Sequence, residues 1–431
     1  MVTSLRQRAS RLTETQFVFG LFVLALVIQL VFAFVLFAVL DETLNMAIDP
    51  DQYGVLARNW ANGDGYTFLP GDVPTTYRGP GYTVVLAVVY AVFGEGGMQP
   101  VVAVLQSVCG ALTAVVIFYL GRRAFRPAVG VLAGLLGAVH PLLIWYAPRY
   151  RYEPLFTLLF MLALLFTLHV WQERRLRDGL LAGLFFGLAS LVSQTALLAP
   201  VGLFVLMLLL PGRRVQLIGP LALAGAVTVL VVAPWTIRNY DLTGQFIPVQ
   251  EGGMTQFYKG NIEYARYEEA PLQSVVLAEL AAQDMADVLG VEYATFDLRT
   301  PGLDATFSPL VMDYLRTQPG HFIGKVITQA VRFWYLSETA FKSYMLLAIQ
   351  AIYLIPAAVG LVVGLRRRES RVPVVLMLAT IGYVMLLYAA THVEARYSTP
   401  ILPLVVVLAG AGVLAVADFL RRGRRAGITV R

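Results

Sequence analysis

The sequence predicts an all-α polytopic membrane protein. About ten transmembrane helices are expected, with outward-facing interfacial helices and one larger extracytoplasmic loop domain. Three observations predict this. The 431-residue chain is 58% hydrophobic and only 14% charged, whereas soluble domains are about half apolar and about a quarter charged. Its apolar residues gather in runs that approach the ~20 residues a spanning helix needs. Its arginines cluster between alternate runs, while most of its acids lie in the intervening segments. The mean hydropathy of +0.69 excludes a soluble enzyme. The net charge of +6 follows from positive-inside sorting, so it implies no nucleic-acid partner.

The arginine clusters mark the cytoplasmic ends of the spans. They are Arg6/Arg8/Arg11, Arg122/Arg123/Arg126, Arg174/Arg175/Arg177, Arg213/Arg214, Arg366–Arg368 with Arg371, and a final group from Arg421 to Arg431. The expected topology is a multi-pass protein of the cell membrane with both termini cytoplasmic. The first span, preceded by no separate cleavage pattern, reads as a retained anchor. The spans are expected at 17–40, 99–120, 127–146, 155–171, 179–194, 196–211, 216–234, 342–365, 373–391 and 398–420. Basic flanks on both sides of 179–211 require a hairpin, turning at the polar break "SLVSQTA". Cys109 lies inside an apolar run and reads as small core filler.

These spans divide the chain into an N-terminal transmembrane module (1–234), a large extracytoplasmic loop (235–341) and C-terminal transmembrane helices (342–431). A first outer segment, about 41–98, belongs to the N-terminal module. Within it, 49–62 is expected as a short amphipathic helix, and "GYTVVLAVVYAVFG" (81–94) as an interfacial helix too short to span. In the large loop, 272–289 and 307–334 have the period of amphipathic helices, the second broken at Pro319-Gly320.

Charged side chains gather at the outer mouths of the spans. Asp49 and Asp51 flank Pro50. Asp49 suits a helix N-cap, and either acid suits a general base that takes a proton from an acceptor hydroxyl. Two neighbouring carboxylates also suit a divalent cation, although the sequence supplies no full ligand set and so no certain cofactor. "TTYRGPGY" (75–82) places Arg78, a potential holder of an anionic head group, beside a Gly-Pro-Gly turn. Glu153 opens a span after "RYRY", with Arg149 and Arg151 as its expected partners. Arg238 and Lys259 are the basic residues of "PWTIRNYDLTG…YKGN", and "THVEARYSTP" (391–400) carries His392, Glu394, Arg396 and Tyr397.

The ordered series "DPDQYGVLARNW…TTYRGPGYTVVL", "HPLLIWY…RYRYEPLF", "PWTIRNYDLTG…YKGN" and "ARYSTPILPL" resembles the GT-C glycosyltransferases. The branch is the one containing protein O-mannosyltransferases and the lipid A aminoarabinose transferase. The resemblance implies an inverting transferase that takes a sugar from a polyprenyl-phosphate carrier at the extracytoplasmic face. The acceptor would be a protein, lipid or glycan. It implies an essential acid at Asp49 or Asp51 near Tyr53, a second acid at Glu153, and lipid-phosphate contacts at Arg238, Arg396 and Arg78, with Tyr397 and Lys259 in the same group. Two departures stand out: Pro50 separates the first acids, and Gln194-Thr195 stands where many relatives carry Arg-Pro. A flippase of lipid-linked sugars and a non-catalytic or polymerase-type relative are the competing readings. Against the flippase, the chain shows neither mid-bilayer ionisable residues nor repeats.

Overall fold

The structure, a computed structural model, describes residues 13–39, 48–211 and 214–425. Arg6, Arg8, Arg11, Arg213 and residues 41–47 of the first outer segment lie outside these. Every regular element among the described residues is a helix. Seven helices are long and apolar enough to cross a membrane. The first is α1 (Glu14–Val31), whose helical path runs on to Val39. A short helix, α2 (Tyr53–Asn62), and then α3 (Pro80–Ala124) follow. Gly94 breaks α3 with φ 67° and ψ −175°, a conformation open to glycine alone. The stretch before that break is the expected interfacial helix, and the stretch after it is the expected second span.

The remaining elements of the N-terminal module are α4 (Pro127–Ala138), a single turn Pro141–Trp145, α5 (Glu153–Glu173), α6 (Leu176–Val192), α7 (Ala199–Leu209) and α8 (Val215–Thr243). The ten expected spans therefore correspond to seven helices of spanning length and three shorter ones, α4, α6 and α7. The span expected at 127–146 is interrupted because Pro141 drives His140 out of the helical region, to φ −69° and ψ 119°. The hairpin turn expected at 190–196 is a 3₁₀ turn, Gln194–Ala196, between α6 and α7. The layer expected on the outer side follows: α9 (Gly253–Ala265), α10 (Ser274–Leu289), α11 (Leu303–Thr317) and α12 (Pro319–Arg332). Of these, α10, α11 and α12 match the amphipathic helices expected there, with α11 ending just before Pro319; α9 was not expected. The chain then returns through α13 (Ala340–Arg366), α14 (Arg368–Ala390), a 3₁₀ turn (Ala395–Ile401) and α15 (Leu402–Arg425).

The apolar interior is continuous, from Tyr53 and Tyr82 at the outer mouth through Phe156, Phe160 and Phe186 to the α15 residues Leu402–Ala409. Where helices meet, small residues let their backbones approach, as packing within lipid requires. On α6, Gly179, Gly183 and Gly187 form one ridge four residues apart. A Cβ on the first two would strike the carbonyl oxygens of Pro220 and Ala224 on α8, and one on Gly187 would meet Val231. Gly183→Leu should therefore force α6 and α8 apart. We expect a loss of about 1–3 kcal/mol or more, measured as a lower unfolding temperature in detergent, while Gly202→Leu, at a glycine with open space around it, should change little.

Candidate active site

The first outer turn separates the roles of its two acids. Helix α2 begins at Tyr53, not at Pro50, because Gln52 takes the left-handed conformation with φ 58°. That conformation costs a non-glycine residue of order 1 kcal/mol. The Asp49 carboxylate caps α2 across this turn, accepting from the amides of Gly54 at 2.8 Å and Val55 at 3.3 Å. Burial nonetheless raises the Asp49 pKa, the amide hydrogen bonds opposing it. Asp51 points elsewhere. Its Oδ2 pairs with Arg151 and lies 3.1 Å from Arg396 Nη1, and its Oδ1 lies 3.6 Å from Arg78 Nη2. Burial opposes its ionisation, but the guanidiniums of Arg396, Arg151 and Arg78 outweigh it and hold the carboxyl well below the usual carboxylate range.

Each guanidinium reaches this point from a different part of the chain. Arg78 precedes α3 and lies over the rings of Tyr53 and Tyr77, 5.1 and 4.8 Å from their centroids. Its segment is docked on residues 249–251: Gly79 N donates to Gln250 Oε1 at 3.1 Å, and Glu251 N to the Thr76 carbonyl at 3.0 Å. Arg151 lies in the buried turn ahead of α5. Arg396 lies in the last outer turn, donates to Tyr397 OH at 3.1 Å and is ion-paired with Glu394, Nε to Oε2 at 2.7 Å. Tyr397 stacks on Tyr388 with centroids 4.2 Å apart, and the Tyr388 hydroxyl lies 2.8 Å from Thr195 Oγ1. The Gln194-Thr195 break thus supplies a hydroxyl to an aromatic wall, where a basic contact was in question.

Two cavities meet at this cluster. The inner one, about 300 Å³, is lined by Arg78, Arg396, His392 and the Tyr388/Tyr397 pair, and at the α6–α7 turn by Leu197 and Leu198. The outer one, about 440 Å³, is lined by Pro50 and Gln52, and by Tyr293, Phe296, Asp297 and Arg299 of the outer layer. Asp51, Tyr77 and Arg78 line both.

The remaining expected site residues divide. Glu153 is buried at the start of α5, but neither carboxylate oxygen makes a hydrogen bond. Of its two expected partners, Arg151 is ion-paired with Asp51 and acts on Glu153 through its charge, and Arg149 lies over the rings of Phe37 and Trp145. Arg238 is not in the inner cavity; its Nη1 donates to the Thr75 carbonyl at 2.9 Å, three residues from Arg78, so it braces the segment that carries that residue. Lys259 faces Glu263 at 3.4 Å and is absent from the cavity wall. Glu263 was not legible in the sequence. It is a buried acid on α9 whose Oε2 lies 2.5 Å from His392 Nδ1. For a divalent cation the donor set does not fit: guanidiniums surround Asp51, and among the described residues no three His, Cys, Asp or Glu converge.

Residues 75–237 match the family model described as dolichyl-phosphate-mannose-protein mannosyltransferase. The whole chain resembles the crystal structure of the Archaeoglobus fulgidus oligosaccharyltransferase tethered with an acceptor peptide containing the NVT sequon. That likeness has 16% identity and a TM-score of 0.60, and covers 97% of this chain and 52% of that one. A structure of the archaeal oligosaccharyltransferase AglB from the same organism, with an inhibitory peptide and a dolichol-phosphate, matches at 15% identity and a TM-score of 0.57, over 97% and 52% of the two chains. ArnT from Cupriavidus metallidurans bound to undecaprenyl phosphate matches at 18% identity and a TM-score of 0.43, over 93% of this chain and 78% of that one. The chain spans about half the length of the oligosaccharyltransferase. No curated protein matches it.

The two acids should separate experimentally. Asp49→Ala removes a cap and should cost about 1 kcal/mol, with Asp49→Asn milder. Asp51 behaves differently with pH. The unfolded carboxyl titrates at about 3.9 and the folded one below it. Asp51 therefore stabilises the fold fully above about pH 4, and that stability is lost as pH falls through the depressed value. Unfolding temperatures between pH 3 and pH 7 should fall more steeply at the acid end in the wild type than in Asp51→Asn. Parallel curves would place Asp51 outside the arginine cluster.

Proposed function

We propose that this chain, a GT-C superfamily member by its fold and its mannosyltransferase-family segment, is a membrane glycosyltransferase. It moves a sugar from a polyprenyl-phosphate-linked donor to an acceptor hydroxyl on the extracytoplasmic side, with inversion at the anomeric carbon. One observation carries the reading: Asp51 and Arg78 form the shared wall of two cavities, one with the α6–α7 turn in its wall and one open among the outer helices. A lipid-borne donor suits the first and a separate acceptor the second.

The chemistry follows from the charges. The donor phosphate seats on Arg78 and Arg396, both in the inner cavity. As the bond from the anomeric carbon to the phosphate oxygen breaks, its electron pair passes to the phosphate. Fixed guanidiniums stabilise that growing charge more than the ground state. The acceptor oxygen bonds to the anomeric carbon from the opposite face, and its proton passes to Asp51. In the empty site Asp51 is a weak base, because three guanidiniums hold its charge. A bound phosphate competes for Arg78 and Arg396, so the carboxylate regains basicity once the donor is seated. Glu153, next to this cluster at the mouth of α5, is proposed as the second acid of the site.

Sidedness is proposed from α5. It runs from Glu153 to Glu173 and is followed by Arg174 and Arg175. At 21 residues it is about 31 Å long, near the thickness of the hydrocarbon core. Arginines at one end and the site at the other support a site on the extracytoplasmic side.

The decisive experiment incubates purified protein with labelled polyprenyl-phosphate sugars and follows release of polyprenyl phosphate. Release is expected in the wild type and abolished in Asp51→Asn. Movement of intact carrier across a bilayer without cleavage would overturn the reading. For the donor contact, Arg396→Lys should rescue poorly relative to Arg396→Ala, since an ammonium lacks the planar fork. Undiminished donor affinity in both variants would remove Arg396 from the site. Glu153→Gln should lower turnover by roughly 10²-fold with melting little changed. Near-normal turnover with a clear drop in melting temperature would make Glu153 structural.

A further inference from the structure

The last outer turn is gripped from the outer layer at three points. Gly260 on α9 lies so close to it that a Cβ would collide with the Thr391 carbonyl oxygen. Lys325 on α12 is fully buried and donates to the Ala390 carbonyl at 2.9 Å and to Asn261 Oδ1 at 2.6 Å. The third point is the contact between Glu263 and His392, at 2.5 Å with both side chains buried. Two of these residues anchor backbone only. The third acts on a side chain that lines the inner cavity.

The hydrogen-bond inventory fixes the ring's orientation. An ionised carboxylate can only accept, so His392 Nδ1–H donates to Glu263. Burial opposes the charge on Glu263, but His392 and Lys259 hold its carboxyl below the usual range. His392 Nε2 makes no hydrogen bond among the described residues. Its nearest carboxylate, Glu394 Oε1, is 3.9 Å away, beyond hydrogen-bond reach. Glu394 is already engaged with Arg396 and Ser274. The ring also packs edge-on to Tyr397, with centroids 5.8 Å apart. A carboxylate on one ring nitrogen, with the other left to a ligand, is how proteins set the orientation and tautomer of a functional imidazole.

We propose that Glu263 is a positioning residue for the lipid-phosphate subsite: by accepting from His392 Nδ1–H it holds the ring as an imidazolium whose Nε2–H donates to the donor phosphate beside Arg396. This rests on the donor-cavity reading given above. It makes α9 of the large outer segment part of the donor subsite, although no α9 residue other than Gly253 and Gln256 lines that cavity. It also gives the "YKGN" stretch a role: Lys259 balances Glu263, Gly260 permits the approach and Asn261 receives Lys325.

The test measures binding of undecaprenyl phosphate, without sugar, to the full chain in nanodiscs, alongside unfolding temperature. His392→Asn should weaken binding about tenfold, the lower end for a lost hydrogen bond to a charged group. Glu263→Leu should weaken it by a similar factor. Glu263→Gln, whose amide oxygen can still accept from Nδ1, should keep most of the affinity. The His392→Asn/Glu263→Leu double variant should be no weaker than His392→Asn alone, because the two residues act through one contact. Wild-type affinity in Glu263→Leu with a lowered unfolding temperature would overturn the proposal and make Glu263 a brace, as would losses that multiply in the double variant. If Glu263→Leu does not fold, His392→Asn decides: unchanged binding overturns the proposal and weakened binding supports it. A wild type that binds undecaprenyl phosphate yet releases none from a labelled donor would sink the transferase reading while leaving this one standing.

Discussion

A single half-buried carboxylate holding three guanidiniums is the interaction on which the half of the molecule around the site depends. Charges removed from water are costly unless they are paired, and here one acid meets Arg78, Arg151 and Arg396. Glu394 reduces the excess by pairing with one nitrogen of Arg396. The three arginines arrive from the segment before α3, the turn before α5 and the turn before α15. Asp51 therefore ties together parts of the chain that are hundreds of residues apart. The guanidiniums of Arg78 and Arg396 line the inner cavity beside the carboxylates of Asp51 and Glu251. An anion seated there would meet the two guanidiniums and take over part of their pairing with Asp51.

The large outer segment does more than cover this cluster. Residues 249–251 at its start dock the segment carrying Arg78, and Asp304 on α11 caps α9 by accepting from the amides of Gly252 and Thr255. Helices α9 and α12 grip the last outer turn from above. Arg396 is thus positioned by contacts well removed from it in sequence. Precision of this kind cannot come from spanning helices alone, because their mouths are held together by loops.

Much of the fold was legible because its signals are local. Apolar runs, basic flanks and Pro319-Gly320 each act over a few residues, and α10, α11, α12 and the Gln194–Ala196 turn fall where these signals put them. The third expected span was misjudged in length because hydropathy sums ignore what Pro141 does to His140. The site was legible by residue type and much less by partner. Asp49 and Asp51 look alike on paper, and only the left-handed Gln52 separates a helix cap from a cluster anion. Arg238 and Lys259 looked like phosphate ligands because they are cations in outer loops, yet each is engaged by a backbone carbonyl or a neighbouring acid. Glu263 gave no signal, since an acid on an amphipathic helix normally faces water. Its partner lies 129 residues away.

The wall shared by the two cavities has a consequence for traffic. On the proposed reading, each substrate has its own entrance, and they touch only across Asp51, Tyr77 and Arg78. Both can then be present together, and no sugar need be parked on the protein between them. On that reading the kinetic order would be sequential, through a ternary complex, and a ping-pong pattern would have no structural counterpart. Departure would be equally divided: the spent carrier would slip sideways into the leaflet while the elongated product leaves towards water. Neither would have to wait for the other, and an acceptor much larger than one sugar would never have to pass between the spanning helices.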